Sequence, residues 1–295
     1  MQDINVLKDP KIDTLIKDIY TMLEEGINTE QRDNWSLMCQ FSDSIRDSVS
    51  QAIKEGQREK SQASLRMSQI GKKDRMLWYD IKSDIKPTDI NGSTKIKFIY
   101  GHMLESLLML LTQLAGHKIT ENQKEVTVEG VKGHKDCRID GMLVDIKSAS
   151  PYAFKKFKDN TLHTDDPFGY IAQISGYAEE GKDTEAAFFA VDKSSGELAL
   201  CNVDSIHMIN APDRIRHLKN VIASDIKPER CYPDEADGKS GNKKLSIGCA
   251  YCPYKKDCWS DANNGKGLRV FKYANGNRYL TQVYKTPDVE EISYA

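Results

Sequence analysis

Two aspartates and a lysine, Asp136, Asp145 and Lys147, stand in the pattern Asp-x8-Asp-x-Lys on either side of an Asp140-Gly141 pair. Asp-Gly is a strong hairpin signal, because both central residues of a type I′ turn need positive φ. With the turn there, Ile139 faces Met142, Arg138 faces Leu143, Cys137 faces Val144 and Asp136 faces Asp145. Opposed residues share a sheet face, as do residues two apart on one strand. His134, Asp136, Asp145 and Lys147 are therefore expected on one side, with Val144 and Ile146 on the other. Like charges facing each other destabilise a sheet unless a hard cation such as Mg²⁺ or Mn²⁺ takes their oxygens as ligands. Lys147 would then sit within reach of a phosphate oxygen or an attacking water. Taken alone, the pattern fits a solvated hairpin with a surface Asp–Lys pair equally well.

A second set of reactive side chains lies late in the chain. Cys231, Cys249, Cys252 and Cys258 follow the spacing Cys-x17-Cys-x2-Cys-x5-Cys in a segment rich in loop formers. Four thiolates so spaced make a closed metal site, either a [4Fe–4S] cluster or a structural zinc, since thiolates suit both. Cys39, Cys137 and Cys201 sit in apolar-patterned stretches and read as small buried hydrophobes. Seven cysteines without a secretion signal argue for reduced thiols or metal ligands and a cytoplasmic location. No apolar run approaches the length of a membrane span, so no membrane partner is expected. The formal net charge is −2, so any polyanion site must be a local concentration of bases. Lys72, Lys73 and Arg75 lie beside Gly71 and the aromatic pair Trp78-Tyr79. Lys155, Lys156 and Lys158 alternate with Tyr152, Phe154 and Phe157. Both stretches suit phosphate contacts near a stacking surface; they also suit a charged helix start and an amphipathic turn.

The elements that must position these groups follow from hydrophobic periodicity. Residues 1–60 read as helical, with Ile12, Leu15, Ile16, Ile19, Tyr20 and Leu23 at helical spacing, then Met38, Phe41, Ile45, Val49 and Ala52. Lys86-Pro87 to Gly92 reads as a loop, and residues 95–115 as the clearest helix. His102 and Glu105, i and i+3 on that helix, are neighbours on one side. Such pairs are usually surface decoration, but this helix directly precedes the carboxylate hairpin. Lys124 to Val131 reads as a strand, and Asp166-Pro167 as the opening of a helix ending at Gly181. Gln173 and Tyr177, i and i+4 on it, can reach the same place. A hairpin around Ser194-Ser195-Gly196 and a helix from Pro212 to Ser224 follow; a last hairpin turns at Asn275-Gly276. The order implies an α/β sandwich with a mixed central sheet.

Together these residues resemble the PD-(D/E)xK nuclease superfamily, and within it the RecB-like branch. That branch holds the lambda-type phage exonucleases and the iron–sulfur nucleases of CRISPR adaptation and of AddB. The resemblance covers roughly residues 65–260, and its parts come in the family's order. They are Gly71-x3-Arg75, Gly101-His102-x2-Glu105, the Asp…Asp-x-Lys hairpin, Gln173-x3-Tyr177 and the cysteines at 249–258. It implies an α/β restriction-endonuclease-like core at 65–228, after an N-terminal helical region at 1–64 and before a Cys-rich metal-binding segment with a C-terminal hairpin at 229–295.

By that resemblance Asp136 and Asp145 are metal ligands and Lys147 is the catalytic lysine. His102 matches the RecB-type helix ligand and Glu105 the lambda-type helix glutamate. Gln173 and Tyr177 look like the pair that supports the active site and the DNA backbone. The expected activity is Mg²⁺- or Mn²⁺-dependent hydrolysis of DNA, with the Ile146 carbonyl as a further metal ligand. Lys72, Lys73, Arg75, Lys155 and Lys156 are the expected nucleic-acid contacts. Cysteine-bearing relatives usually take their first cluster cysteine from upstream of the core. Here Cys231 is the natural substitute and Cys39 a remote second choice for a [4Fe–4S] cluster, with zinc as the alternative. Compactness and the absence of helicase motifs look most like a phage-encoded exonuclease acting on DNA ends in a bacterial cytoplasm, as a homo-oligomer or with a single-strand annealing partner. The rivals are an endonuclease of repair, restriction or CRISPR adaptation, and a non-catalytic DNA-binding module.

Overall fold

The computed structural model describes residues 11–55, 64–82, 92–274 and 276–293. In chain order the helices are α1 (Leu15–Glu25), α2 (Arg32–Glu55), α3 (Asp74–Lys82), α4 (Gly92–Leu114), α5 (Pro151–Lys158), α6 (Tyr170–Gly181) and α7 (Ala211–Ala223). The strands are β1 (Ile119–Thr120), β2 (Lys124–Val128), β3 (Val131–Lys135), β4 (Cys137–Ile139), β5 (Met142–Ala149), β6 (Glu185–Asp192) and β7 (Leu198–Asp204). Five more follow: β8 (Asp234–Ala236), β9 (Lys243–Leu245), β10 (Arg269–Tyr273), β11 (Gly276–Gln282) and β12 (Glu291–Ile292). The described residues divide into two compact units, one of residues 11–55, 65–71 and 92–216, the other of residues 64, 72–82, 217–274 and 276–293.

The first unit is α/β, with a five-stranded sheet in the order β1-β4-β5-β6-β7. β5 and β6 run parallel while the other neighbours are antiparallel, so the sheet is mixed as expected. The Asp140-Gly141 turn forms with φ of 50° and 91°, and the β4–β5 register is Cys137↔Val144, Arg138↔Leu143, Ile139↔Met142, as the turn chemistry requires. One sheet face buries Cys137, Val144, Ile146 and Phe189 against Leu15 and Ile19 of α1 and Leu108 of α4. Removing that apolar surface from water is the main force holding both helices to the sheet. On the opposite face Phe188 meets Phe157 of α5, with ring centroids 5.7 Å apart. α2 lays Met38, Phe41, Ile45, Val49 and Ala52 half-buried along its inner stripe.

The segment before α3 crosses the N-terminus of α6 backbone to backbone at Gly71 and Gly169. A Cβ added at either would fall inside the other's main chain, and Gly169 also has a φ of +76°. Only glycine fits both demands. Thus Gly71 of the Gly-x3-Arg segment has a packing role.

The second unit has its own five-stranded antiparallel sheet, β12-β10-β11-β9-β8. Beside it Leu245, Cys249, Trp259, Ala262 and Leu268 form a small core. α3 belongs here and not with the sheet of the first unit, unlike the boundary read from the sequence. Its Tyr79 stacks on Tyr254 at 5.1 Å, and Trp78 Nε1 donates to the Ser224 carbonyl at 3.1 Å.

Several expectations need correction. Lys124–Val131 is not one strand: Glu129-Gly130, with φ of 48° and 70°, turns β2 back onto β3 as a separate two-stranded sheet. His134, on β3, consequently does not join Asp145 and Lys147; it is exposed, with Nε2 4.0 Å from Glu125. α6 begins at Tyr170, because Gly169 is left-handed; Asp166 precedes the helix and accepts the N–H groups of Gly169, Tyr170 and Ile171. Cys39 is exposed, since it lies on the outer side of a largely polar helix. The cysteine segment carries sheet and core where loop was expected. The loop proposed before Gly92 falls at 86–91, outside the described residues, and Gly92 itself starts α4. Asn275 is likewise outside them, although β10 and β11 pair as the expected hairpin. Among the described residues no helix is long and apolar enough to cross a membrane.

Candidate active site

β5 carries Asp145 in register with Phe188 of β6, pointing away from the Val144/Ile146 face. Its carboxylate is 1% exposed, and among the described residues neither oxygen has a hydrogen-bond partner of normal geometry. Its close companion is the Lys147 ammonium, in an ion pair with Oδ2. Asp136 lies in the break between β3 and β4, and its Oδ2 accepts the Ile146 N–H at 2.7 Å. That bond ties the carboxylate to the backbone of β5. Glu105 comes from α4, half-buried, and accepts Gln123 Nε2 at 2.9 Å.

Electrostatics bind these groups into one site. Burial, then the Asp145 and Glu105 charges, push the Asp136 carboxyl well above its ordinary range, with Lys147 and the Ile146 N–H only partly offsetting them. Burial likewise raises Glu105; Asp145 adds to the shift, while His102 and Lys147 oppose it. Burial lowers the Lys147 pKa, but Asp145 and Asp136 outweigh it and raise it above the ordinary lysine value, so the ammonium stays protonated. Tyr177 on α6 is pushed up to about 12, first by burial and then by Asp145 and Asp136, while Gln173 donates to its hydroxyl at 3.2 Å. The structure thus brings Glu105, Asp136, Asp145, Lys147, Gln173 and Tyr177 together.

His102 is exposed one turn before Glu105, and two open clefts meet at this pair. One, of about 840 Å³, runs past Lys147, Ile146, Tyr170 and Phe168. The other, of about 730 Å³, runs past Asp136 and Gln123 along α2.

The donor set suits a hard cation, being carboxylate oxygens crowded together, with the buried Asp145 pair lacking hydrogen bonds of normal geometry and compensated by the Lys147 ion pair. Among the described residues no three His, Cys, Asp or Glu side chains are already drawn together tightly enough to hold a metal ion. The Lys147 and Gln123 contacts occupy oxygens that a cation would need.

The four late cysteines belong to the second unit and line one small cavity. Burial raises the thiols of Cys231, Cys252 and Cys258, and each also feels Cys249. The backbone N–H groups of Arg75 and Met76, at the start of α3, are directed at the Cys231 sulfur, and that of Tyr254 at Cys252. Such N–H donors favour thiolate over thiol. Cys39 is remote in sequence from this group and lies in the other unit.

The expected DNA contacts have partners within the protein. Lys72 pairs with Asp80 at 2.6 Å, and the Lys73 ammonium is 5.7 Å from the Tyr232 ring centre. Arg75 donates to the Pro228 and Cys258 carbonyls at 2.9 and 3.4 Å, clasping the cysteine segment. Lys155 pairs with Asp159 and Lys156 with Asp165, both at 2.5 Å. Residues with no motif of their own line the Lys147 cleft: Lys97, Phe98, Phe168, Tyr170 and Lys193. Helical spacing alone puts Tyr170 at this site, since it precedes Gln173 by three and Tyr177 by seven on one helix face. Lys193 reaches it only through the sheet: its N–H donates to the Ala149 carbonyl at 3.0 Å, pinning it at the end of β5.

No protein-family model matches the chain, and no curated protein does. A solved structure described as "Crystal structure of SSO0001" is similar at 15% identity and a TM-score of 0.42, covering 72% of this chain and 93% of that one.

Proposed function

We propose that the chain is a metal-dependent DNA exonuclease with a PD-(D/E)xK core. The observation that carries the reading is the Asp145 carboxylate. It is almost fully buried, without normal hydrogen bonds, and set against Asp136, Glu105 and Lys147. A buried carboxylate is costly unless something compensates it. A site that collects several of them beside one lysine suits a divalent cation and a phosphate better than it suits stability alone.

Asp136, Asp145, Glu105, His102 and the Ile146 carbonyl are the proposed holders of Mg²⁺ or Mn²⁺. When bound, the cation supplies Lewis acidity toward the scissile phosphate and toward water. Lys147, kept charged by the two aspartates, offsets negative charge developing on the phosphate and orients the attacking water. Tyr177 and Gln173 fix the far wall, the tyrosine remaining a neutral donor at physiological pH. Cys231, Cys249, Cys252 and Cys258 are the proposed ligands of a [4Fe–4S] cluster or a zinc ion that closes the second unit. A phage origin, a bacterial cytoplasm and a homo-oligomeric or annealing partner belong to the same proposal.

An endonuclease has one observation in its favour, because the clefts on both sides of Glu105 leave room for a strand to continue. Incubation of anaerobically purified protein with linear and circular duplex DNA, plus Mg²⁺ or Mn²⁺, separates the readings. Loss of linear DNA alone, abolished by Asp145→Ala, supports the exonuclease. Cut circles support the endonuclease. Binding without cleavage under either metal refutes both and leaves a binding module.

A further inference from the structure

The two clefts that meet at Glu105 differ in chemistry. The one on the Asp136 side is lined by amides, hydroxyls, carboxylates, His102 and apolar side chains such as Phe41 and Met109, and among the described residues no lysine or arginine lines it. The one on the Lys147 side carries Lys95, Lys97, Lys147 and Lys193 against, among the described residues, a single carboxylate, Glu105, and adds exposed aromatic surface. Phe168 is 64% exposed in this cleft. Its ring stacks on Tyr170 at 5.4 Å between centroids, and the Lys147 ammonium lies 5.0 Å from the Tyr170 centroid. Tyr170 is in turn backed by Phe157 and Phe188, each at 6.1 Å. The Asp166 carboxylate holds the backbone between the two rings. The plate is therefore stiff, half wet and joined directly to the lysine of the site.

A rigid exposed ring beside lysines is how proteins hold unpaired nucleotides: the base stacks and the phosphates meet the cations. A paired base inside a duplex has no free face to offer. We propose that Phe168 and Tyr170, with Lys97 and Lys193, form a subsite for an unpaired DNA nucleotide next to the scissile phosphate. The strand presented to Asp136, Asp145 and Lys147 is then single-stranded at its cut end. The inference rests on the nuclease reading and narrows its substrate to single strands, overhangs and frayed ends.

Oligonucleotides carrying 2-aminopurine at one end test it on the full-length protein, in buffer without added divalent cation, so that binding is read without cleavage. Stacking on the plate quenches the fluorophore in single-stranded and overhanging DNA. Phe168→Ala, at an exposed position that tolerates truncation, should abolish the quench and weaken single-strand binding by about 5- to 150-fold, the range for losing one stacked base. Blunt duplex binding, in which internal bases cannot reach the ring, should change far less than single-strand binding. Phe168→Trp should restore the quench. Lys193→Ala should flatten the salt dependence by about 0.7 in log–log slope, as for one lost phosphate contact on a single strand. Unchanged quench and affinity in Phe168→Ala, with cleavage still abolished by Asp145→Ala, overturn the subsite and leave the nuclease standing. A Phe168-dependent quench in a protein that cleaves no DNA supports the subsite and overturns the nuclease.

Discussion

Replacing Asp136 by asparagine should make the protein more stable when no divalent cation is added. Asp136 is held beside Asp145 and Glu105, the Lys147 ammonium and the Ile146 N–H offset them only in part, and its carboxyl is pushed well above the ordinary range. A carboxyl raised in the folded state contributes stability that is complete below its unfolded pKa, near 4, and is lost as pH rises through the folded value. The wild-type site is therefore less stable at pH 8 than near pH 4. Asparagine removes the charge and still offers an oxygen to the Ile146 N–H, the bond that Asp136 accepts at 2.7 Å. Relief of a poorly compensated buried charge is worth about 1–3 kcal/mol. For a chain of this size each kcal/mol moves the melting temperature by about 2–4 °C. Calorimetry at pH 8 without Mg²⁺ or Mn²⁺ should show the variant melting higher, with the gap shrinking toward pH 4. Added Mg²⁺ should then stabilise the wild type alone, by about 2.7 kcal/mol at a hundredfold excess over Kd, and close the gap. A variant that melts lower than wild type at pH 8, or a gap that persists in acid, would refute the electrostatic account. Asp136 would then be a structural acceptor for Ile146.

Two further outcomes follow from the same geometry. Cys252→Ala should lose iron or zinc in elemental analysis and unfold the second unit at lower temperature. That unit's own core is small, and structural metal binding is worth about 10 kcal/mol or more in isolated zinc sites; retained metal content and an unchanged melt would show that Cys252 is no ligand. Gly169→Ala should cost roughly 3 kcal/mol or more, because it combines positive φ with a collision against the Gly71 backbone. The urea midpoint reads this directly, and a loss under about 1 kcal/mol would mean that the crossing relaxes easily.

The local part of the site was written in the sequence. Asp140-Gly141 determines the β4–β5 turn, the turn determines the register, and the register puts Asp145 and Lys147 on the face opposite Val144 and Ile146. Each step is a near-neighbour rule of backbone geometry, so no distant residue can alter it. The Gln173–Tyr177 pair follows in the same way from helical spacing. His134 escaped this logic because parity extends only as far as a strand does. The Glu129-Gly130 turn pairs β3 with β2, and the chain breaks at Asp136 before β4 begins.

Burial and company were decided only by the tertiary structure. For Lys72, Lys73 and Arg75 the sequence lists charges without their partners; folding supplies Asp80, Tyr232 and the Pro228 and Cys258 carbonyls. Phe168 and Lys193 lie far apart in sequence, and neither carries a motif. The parallel pairing of β5 with β6, which spans the whole of α5 and α6, brings Lys193 to the end of β5. Residue types and short spacings specify which chemistry a segment can do. Which of those groups share a wall of one cleft depends on long-range sheet order, and that is set by the burial of apolar faces from distant parts of the chain.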